Sequence, residues 1–423
     1  MKKYGLWFFL FTSLFACQTK SNKLLNSDEG NAGIQLPEGF SATIFADDIG
    51  HARHIDVNSN GDVYVSLSRV NNGGGLVCLR DENGDGKADQ IKYHGIYEGT
   101  GIKLHNGFVY FGTDTAIVRF KLTEGELVPS ESAEVVAAGF SQQNQHESKP
   151  LTFDQDENMY VTVGAPSNAC QENDRTKGSP GIDPCPLLEL HGGIWRFKAD
   201  VLNQDQAKDG YRFATGIRNA VAIHWNTGQN KLYALQHGRD QLSQFYPDLY
   251  TEEQSANLPA EEFLLVEDGS DFGWPYCYYD DVQNKKVLGP EYGGDGLKIE
   301  RCAAADDPIM AFPAHTAPND LLFYTGDLFP EKYKNGAFIA FHGSWNRAPQ
   351  PQDGYYVVFV PFKDQLPSGK WEIFAGGFAG VDVVKSPGDA KHRPCGLAQG
   401  PDGSLYISDD ASGRIYRIVY SKS

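Results

Sequence analysis

Along this chain the apolar positions come in short, strand-length runs broken by Asp, Asn and Gly turns. One compound pattern recurs: an apolar strand, a polar turn, then a strand in which tyrosine sits between apolar residues. Copies stand at Ile55–Val65 (IDVNSNGDVYV), Leu104–Phe111 (LHNGFVYF), Leu151–Val161 (LTFDQDENMYV), Ile223–Leu235 and Leu397–Ile407 (LAQGPDGSLYI), with a looser copy and a longer turn at Leu322–Ile339. Runs this short, bounded by turn residues, read as β-hairpins. Repeats of about 40–50 residues with roughly four short strands each mark a β-propeller. The reading is therefore all-β: a six-bladed β-propeller with four antiparallel strands per blade, the wider gaps being insertions between strands. Helical periodicity is scarce, and Pro247–Asn257 is the best candidate helix.

The pattern breaks at the N-terminus. Lys2 and Lys3 precede an apolar stretch, Leu6–Leu14, too short to span a bilayer as a stable helix. It ends in Leu14-Phe15-Ala16-Cys17, which resembles a bacterial lipobox. The expectation is a lipoprotein signal peptide over 1–17 with Cys17 as the lipidation site, a flexible tether over 18–33, and one propeller domain over 34–423. That predicts a lipid-anchored protein of the bacterial cell envelope. Setting Cys17 aside leaves six of the seven cysteines, an even number in an exported chain. Cys170 with Cys185 and Cys277 with Cys302 bracket loops they can close, whereas Cys78 and Cys395 can pair only if the chain ends meet. No spacing suggests zinc.

Composition changes the picture in one respect. The 423 residues carry a net charge of −18, which argues against non-specific nucleic-acid binding but leaves room for a local basic pocket. Such a pocket is what the motifs predict. Val221–Trp225 and Leu232–Leu235 read as a hairpin, which brings Arg218-Asn219 and His237-Gly238-Arg239-Asp240 to one rim of the sheet. Similar clusters flank other repeats: Arg53 within HARH before the first, His146 before the third, His315-Thr316 and His342-Gly343-Ser344-Trp345-Asn346-Arg347 around the fifth, Lys391 and Arg393 before the sixth. Clusters kept in phase with a propeller repeat fall on one face, where they can hold a polyanionic ligand. Separately, Asp81, Asn83, Asp85 and Asp89, with Gly86 between, have calcium-loop spacing, but Lys92 stands where the final bidentate Glu belongs. This stretch is either a second calcium loop or an Asx-rich turn.

This ordered set resembles the soluble quinoprotein sugar dehydrogenases, in particular the branch of sorbosone and pyranose dehydrogenases. The resemblance runs from about Leu36 to Ile418 and includes HGSWNR and the terminal PDGSLYISDDASGRIYRI. It implies a six-bladed propeller that binds pyrroloquinoline quinone and Ca2+. It implies that His146 is the general base and that Arg218 stands beside the reactive quinone carbonyl. Asn219 would contact the cofactor, and Thr316, Lys391 and Arg393 would hold its carboxylates, with Trp345 or Arg347 near them. Arg53, His237 and Asp240 join the same cofactor-binding set. The main-chain carbonyls of Gly238 and Arg239 would ligate calcium. The chemistry is consistent, since guanidinium forks suit carboxylates and carbonyl oxygens suit a hard cation. The chain departs from the glucose-oxidising branch in having Arg239 where that branch has proline, His237 for a polar amide, and no glycines in the His146 loop.

The implied activity is oxidation of a sugar, or of a sugar-derived aldehyde or alcohol, by hydride transfer to the quinone. No haem-attachment motif is present, so electrons would leave to a separate acceptor, a cytochrome or quinone. Two other readings stand beside it: a cofactor-free propeller that binds carbohydrate or protein, and a calcium-dependent, lactonase-type hydrolase. The basic character of the clusters speaks against the last.

Overall fold

The computed structural model describes Met1 and residues 28–421. The expected lipidation site, Cys17, lies outside the described residues. Six antiparallel sheets of four main strands form the blades. Each sequence repeat is the inner hairpin of one blade. Blade 1 opens with Ala52–Val57 and Val63–Asn71, blade 2 with Gly99–His105 and Phe108–Thr113, and blade 3 with Leu151–Phe153 and Asn158–Val163. Blade 4 opens with Ala220–Asn226 and Lys231–Gln236, blade 5 with Pro318–Phe323 and Ala337–Phe341, and blade 6 with Pro394–Gln399 and Leu405–Asp409. The fourth strand of blade 6 is Phe40–Ala46 from the start of the domain, paired along Arg414–Tyr420. This joint closes the ring, and it removes the free sheet edges that an open array would expose.

The apolar strands bury both faces. Six buried apolar clusters each lie between two neighbouring blades. Because successive side chains point to opposite sides of a strand, Tyr233 and Leu235 pack toward blade 5 while Leu232 and Ala234 pack toward blade 3. The recurrent aromatic position packs toward the next blade in every case, as Tyr64, Tyr110, Tyr160, Tyr233, Phe338 and Tyr406. Four of these tyrosines also satisfy their hydroxyls: Tyr64 donates to Leu127 O, Tyr110 to Ala199 O, Tyr160 to Asp154 and Tyr233 to Gln365 O. Tyrosine thus fills a gap between sheets and still reaches an acceptor at its tip.

Four strands per blade is the rule with two additions. Gln204–Asp205 adds in parallel to blade 2, and Ser270–Asp271 adds in parallel to blade 3. The second addition matters for the site. After the third strand of blade 4, Glu261–Val266, the chain climbs back along the outer edge of blade 3 and delivers residues 272–305 to the rim that already carries residues 164–192 and 237–260. The expected helix is short, Glu252–Asn257, capped by Thr251 with a Gln254 capping box.

Both expected loop disulfides form, Cys170–Cys185 and Cys277–Cys302. Cys78 and Cys395 are buried and free. The chain ends do meet, but Cys78 faces blade 2 from the third strand of blade 1, while Cys395 lies on the innermost strand of blade 6 beside Asn319. The segment expected to end the tether is held against the closing strand. Asp28 accepts from Ile44 N and pairs with Lys87 at 2.7 Å. In the loop Asp81–Asp89 the side-chain oxygens are turned onto main-chain amides: Asp81 accepts from Gly84 and Gly86, Asn83 from Asp85, and Asp89 from Glu82. Of its two readings, the Asx-rich turn accounts for these bonds.

Candidate functional site

The rim loops of blades 3, 4 and 5 enclose a cavity of about 330 Å³ that opens on one face. A volume of this order is at the lower end of the range for small-molecule sites. Of the residues expected at a site, His146, Arg218, His237, Gly238, Asp240 and Trp345 line it.

His146 precedes blade 3 on a backbone of positive φ, 55°. Such a conformation is costly away from glycine and persists where neighbours impose it. Gly164 is pressed against this residue, so that an added Cβ there would stand 2.6 Å from His146 Cβ. The imidazole Nδ1 donates to Ala165 O at 2.6 Å. That bond sets the tautomer and leaves the Nε2 lone pair free. Burial first, and then the nearby Arg218 charge, push the His146 pKa down to about 3, so the ring is neutral at ordinary pH.

Arg218 and Asn219 start the inner strand of blade 4, and His237 to Asp240 leave the next one. Ala220 pairs with Gln236, and His237 N donates to Asn219 O at 2.8 Å, so the two motifs meet. Arg218 is 3% exposed and held by three hydrogen bonds, Nε to Asn168 O, Nη1 to Gly238 O and Nη2 to Asp240 at 2.6 Å, which leaves two of its five guanidinium N–H groups. Burial lowers its pKa, and Asp240 opposes this. Asp240 in turn sits between Arg218 and Arg175, with Arg175 Nη2 at 2.9 Å, and accepts from Asn346 Nδ2 on its other oxygen. The guanidiniums hold the Asp240 carboxyl far below the usual carboxylate range against its burial. One carboxylate between two arginines leaves one net positive charge in an otherwise acidic protein. His237 Nε2 donates to Pro318 O, which leaves Nδ1 to face the Asn219 amide at 3.4 Å, and burial pushes its pKa down to about 4.

Other expected residues stand elsewhere. Arg53 pairs with Asp410 at 2.7 Å, and His342 binds the other oxygen of the same carboxylate. Arg393 donates to His342 O and Gly343 O and lies over the Tyr355 ring. These residues gather around Asp410 outside the cavity lining. Thr316 is buried and donates to Pro313 O, while its neighbours His315 and Ala317 line the cavity, both at positive φ. Arg347 turns away to Ala256 O and Pro351 O, because a short turn after Trp345 sends it outward. Lys391 is exposed and packs its stem on Gly380, since the chain there runs along the outer loops of blade 6. The Arg239 side chain forms a buried pair with Glu291 at 2.5 Å, away from the cavity.

Two charged cavity residues escaped the sequence reading, as did their uncharged neighbours Asn144 and Gln145. Arg175 lies in the middle of the Cys170–Cys185 loop, where a lone arginine gives no signal. Glu261 and Glu262 open a strand that is otherwise apolar, EEFLLV, and that placement was a usable clue. Glu261 is 2% exposed, accepts from Gly238 N at 2.8 Å and Ala317 N at 3.0 Å, and so ties the rims of blades 4 and 5. Burial raises its pKa to about 7 despite both bonds.

The TrAA12-like family model matches residues 34–421, nearly the whole described chain. The chain belongs to the TrAA12-like family. A pyrroloquinoline quinone-dependent pyranose dehydrogenase of Coprinopsis cinerea is 27% identical over 282 residues, 57% of this chain and 36% of that one. An uncharacterised protein of Borreliella burgdorferi is 30% identical over 211 residues, 49% of this chain and 48% of its own. The matches thus span half or less of those relatives' own length. Among solved structures, the holo PQQ domain of the Coprinopsis cinerea pyranose dehydrogenase superposes with a TM-score of 0.73 at 20% identity, covering 91% of this chain and 97% of that one. A Trichoderma reesei AA12 enzyme superposes with a TM-score of 0.74 at 19% identity, covering 92% and 98%. Both show the same propeller fold.

Proposed function

We propose that this TrAA12-like chain is an exported quinoprotein oxidoreductase that oxidises a sugar, or a sugar-derived aldehyde or alcohol. The observation that carries the proposal is the pairing at the cavity of a neutral histidine, its Nε2 lone pair free, with a buried arginine that retains its charge. A base and a fixed positive charge are what oxidation of a hydroxyl-bearing carbon requires of the protein.

The donor set suits pyrroloquinoline quinone. Arg175 has guanidinium N–H groups left over after its three bonds, and the buried Asn346 Oδ1 has no partner. Arg175, Arg218 and Asn346 would hold the carboxylates and ring oxygens or N–H, with Trp345 at the mouth. When bound, the quinone supplies the two-electron acceptor. His146 Nε2 takes the proton from the sugar hydroxyl. Arg218, fixed by Asp240, offers positive charge to an oxygen that becomes anionic, without having to move. Calcium would use the Gly238 and Arg239 carbonyls. Gly238 O already accepts from Arg218, and a carbonyl keeps a second lone pair for a cation. Electrons would pass to a separate cytochrome or quinone, and Cys17 would carry the lipid anchor at the bacterial envelope. The relatives named for pyrroloquinoline quinone and pyranose support this reading.

The test is a spectral titration of the purified chain with pyrroloquinoline quinone, with and without Ca2+, followed by dye reduction with a panel of sugars. Saturable, calcium-dependent binding and sugar-dependent reduction are expected. Absence of binding at tens of micromolar cofactor would return the site to a binding module for some other anion.

A further inference from the structure

The charged trio at the cavity is held by a residue that does not line it. Asn168 lies just before Cys170, in the blade 3 insertion that the Cys170–Cys185 disulfide braces, and is 0% exposed. Its carboxamide grips the main chain of Asp240 from both sides: Oδ1 accepts from Asp240 N at 2.9 Å, and Nδ2 donates to Asp240 O at 3.1 Å. Both bonds demand the same orientation of the amide, so its oxygen and nitrogen are assigned without ambiguity. The Asn168 carbonyl accepts from Arg218 Nε at 3.2 Å and from the Trp274 indole at 3.0 Å. Its own N–H donates to Asp174 Oδ1 at 2.9 Å. One side chain therefore completes the Asp240 backbone as a neighbouring strand would, while its carbonyl fixes the arginine that Asp240 pairs with.

We infer that Asn168 is the positioning residue for Arg218 and Asp240, acting from the disulfide-braced insertion of blade 3 on a site whose main elements belong to blade 4. The inference rests on the quinoprotein reading only for its kinetic consequence; the geometric part stands without it. Residues that approach within hydrogen-bond reach of both partners of an ion pair set its orientation, and a displacement of about 1 Å at such a group costs about a hundredfold in rate. Alanine removes both side-chain bonds. Aspartate keeps the acceptor, loses the donor to Asp240 O, and sets a like charge beside Asp240.

The experiment has two arms. In the first, Asn168→Ala and Asn168→Asp are compared with the wild type by hydrogen exchange of the full chain without cofactor. Exchange of the Asp240 amide is expected to rise about tenfold in Asn168→Ala, as the loss of one or two net hydrogen bonds dictates, with exchange in blades 1, 5 and 6 unchanged. Unchanged exchange at Asp240 would overturn the inference. In the second arm, sugar-dependent dye reduction with added pyrroloquinoline quinone and Ca2+ is expected to show kcat falling at least tenfold in both variants and KM for the sugar holding. Faster exchange with kcat unchanged would also overturn it, since the restrained groups would then not matter to turnover. If the wild type neither binds nor uses the cofactor, the functional reading falls while the exchange arm still decides the positioning. Should Asn168→Ala fail to fold, Asp174→Asn weakens the support of Asn168 from outside the cavity, and the same amide reports the result.

Discussion

At the scale of single residues, the chemistry of His146 follows from what surrounds it. Its Nδ1 proton is committed to Ala165 O, and Arg218 and burial keep the ring neutral. If His146 is the base, His146→Ala lowers sugar-dependent kcat by roughly 10²–10⁴ while the affinity for pyrroloquinoline quinone stays within about threefold. Near-normal turnover would dismiss the assignment. Because its pKa is pushed down to about 3, protonation of this histidine should lower kcat/KM only in strong acid, and a fall centred near pH 6.5 that persists in Glu261→Gln, which removes the cavity carboxyl raised to about 7, would contradict the geometry. The His146, Arg218 and His237 positions were legible in the sequence because their motifs sit at strand ends, where the repeat sets their phase. Thr316, Arg347 and Lys391 were misplaced for a related reason. They lie in irregular loops, where one residue of register decides whether a side chain faces the cavity or the outside.

At the scale of elements, the two disulfide-closed insertions carry the second layer of the site. Tyr292 of one donates to Ala169 O of the other. Lys286 pairs with Glu262 at 2.8 Å; Glu262 accepts from Gln236 Nε2, and Gln236 Oε1 accepts from Arg218 N at 3.1 Å. The Cys277–Cys302 loop thus reaches the arginine through a buried polar chain, and such chains are costly to leave partly satisfied. Replacing both Cys277 and Cys302 by alanine should cost about 2–4 kcal/mol of stability, measured by denaturant unfolding, with the first loss of protection in residues 272–305. A loss confined to the far blades would contradict this coupling. The loops were foreseen as closed by these pairs. That they meet over blade 4 was not, because their contact depends on the parallel strand Ser270–Asp271 returning the chain to the rim.

At the scale of the whole molecule, neighbouring blades pack closely, and nowhere more visibly than where blade 3 meets blade 2. Lys149 stands there, fully buried, with its carbonyl so close to Gly101 and Gly112 that an added Cβ would lie 2.2 and 2.1 Å away. Its ammonium donates to Glu147 O, and burial lowers its pKa from 10.5 to about 8 against the attraction of Asp114 and Glu147. A base with a depressed folded pKa contributes stability that is complete above its unfolded value and is lost as pH falls through the folded value. Relative to Lys149→Met, the wild type should therefore gain about 3 kcal/mol between pH 7 and 11, read from paired unfolding curves. A difference that stays flat over this range would show the lysine to be unperturbed. The sequence by itself determined the strands, their turns, the blade count and the two loop disulfides, since each depends on residues near one another in the chain and on a pattern repeated six times. Tertiary structure decided which rim residues share a cavity, why Cys78 and Cys395 stay apart, and how Arg175, Glu261 and Asn168 come to act on residues far from them in sequence. Those outcomes depend on distances across blades, and no local pattern encodes a distance between segments that only ring closure brings together.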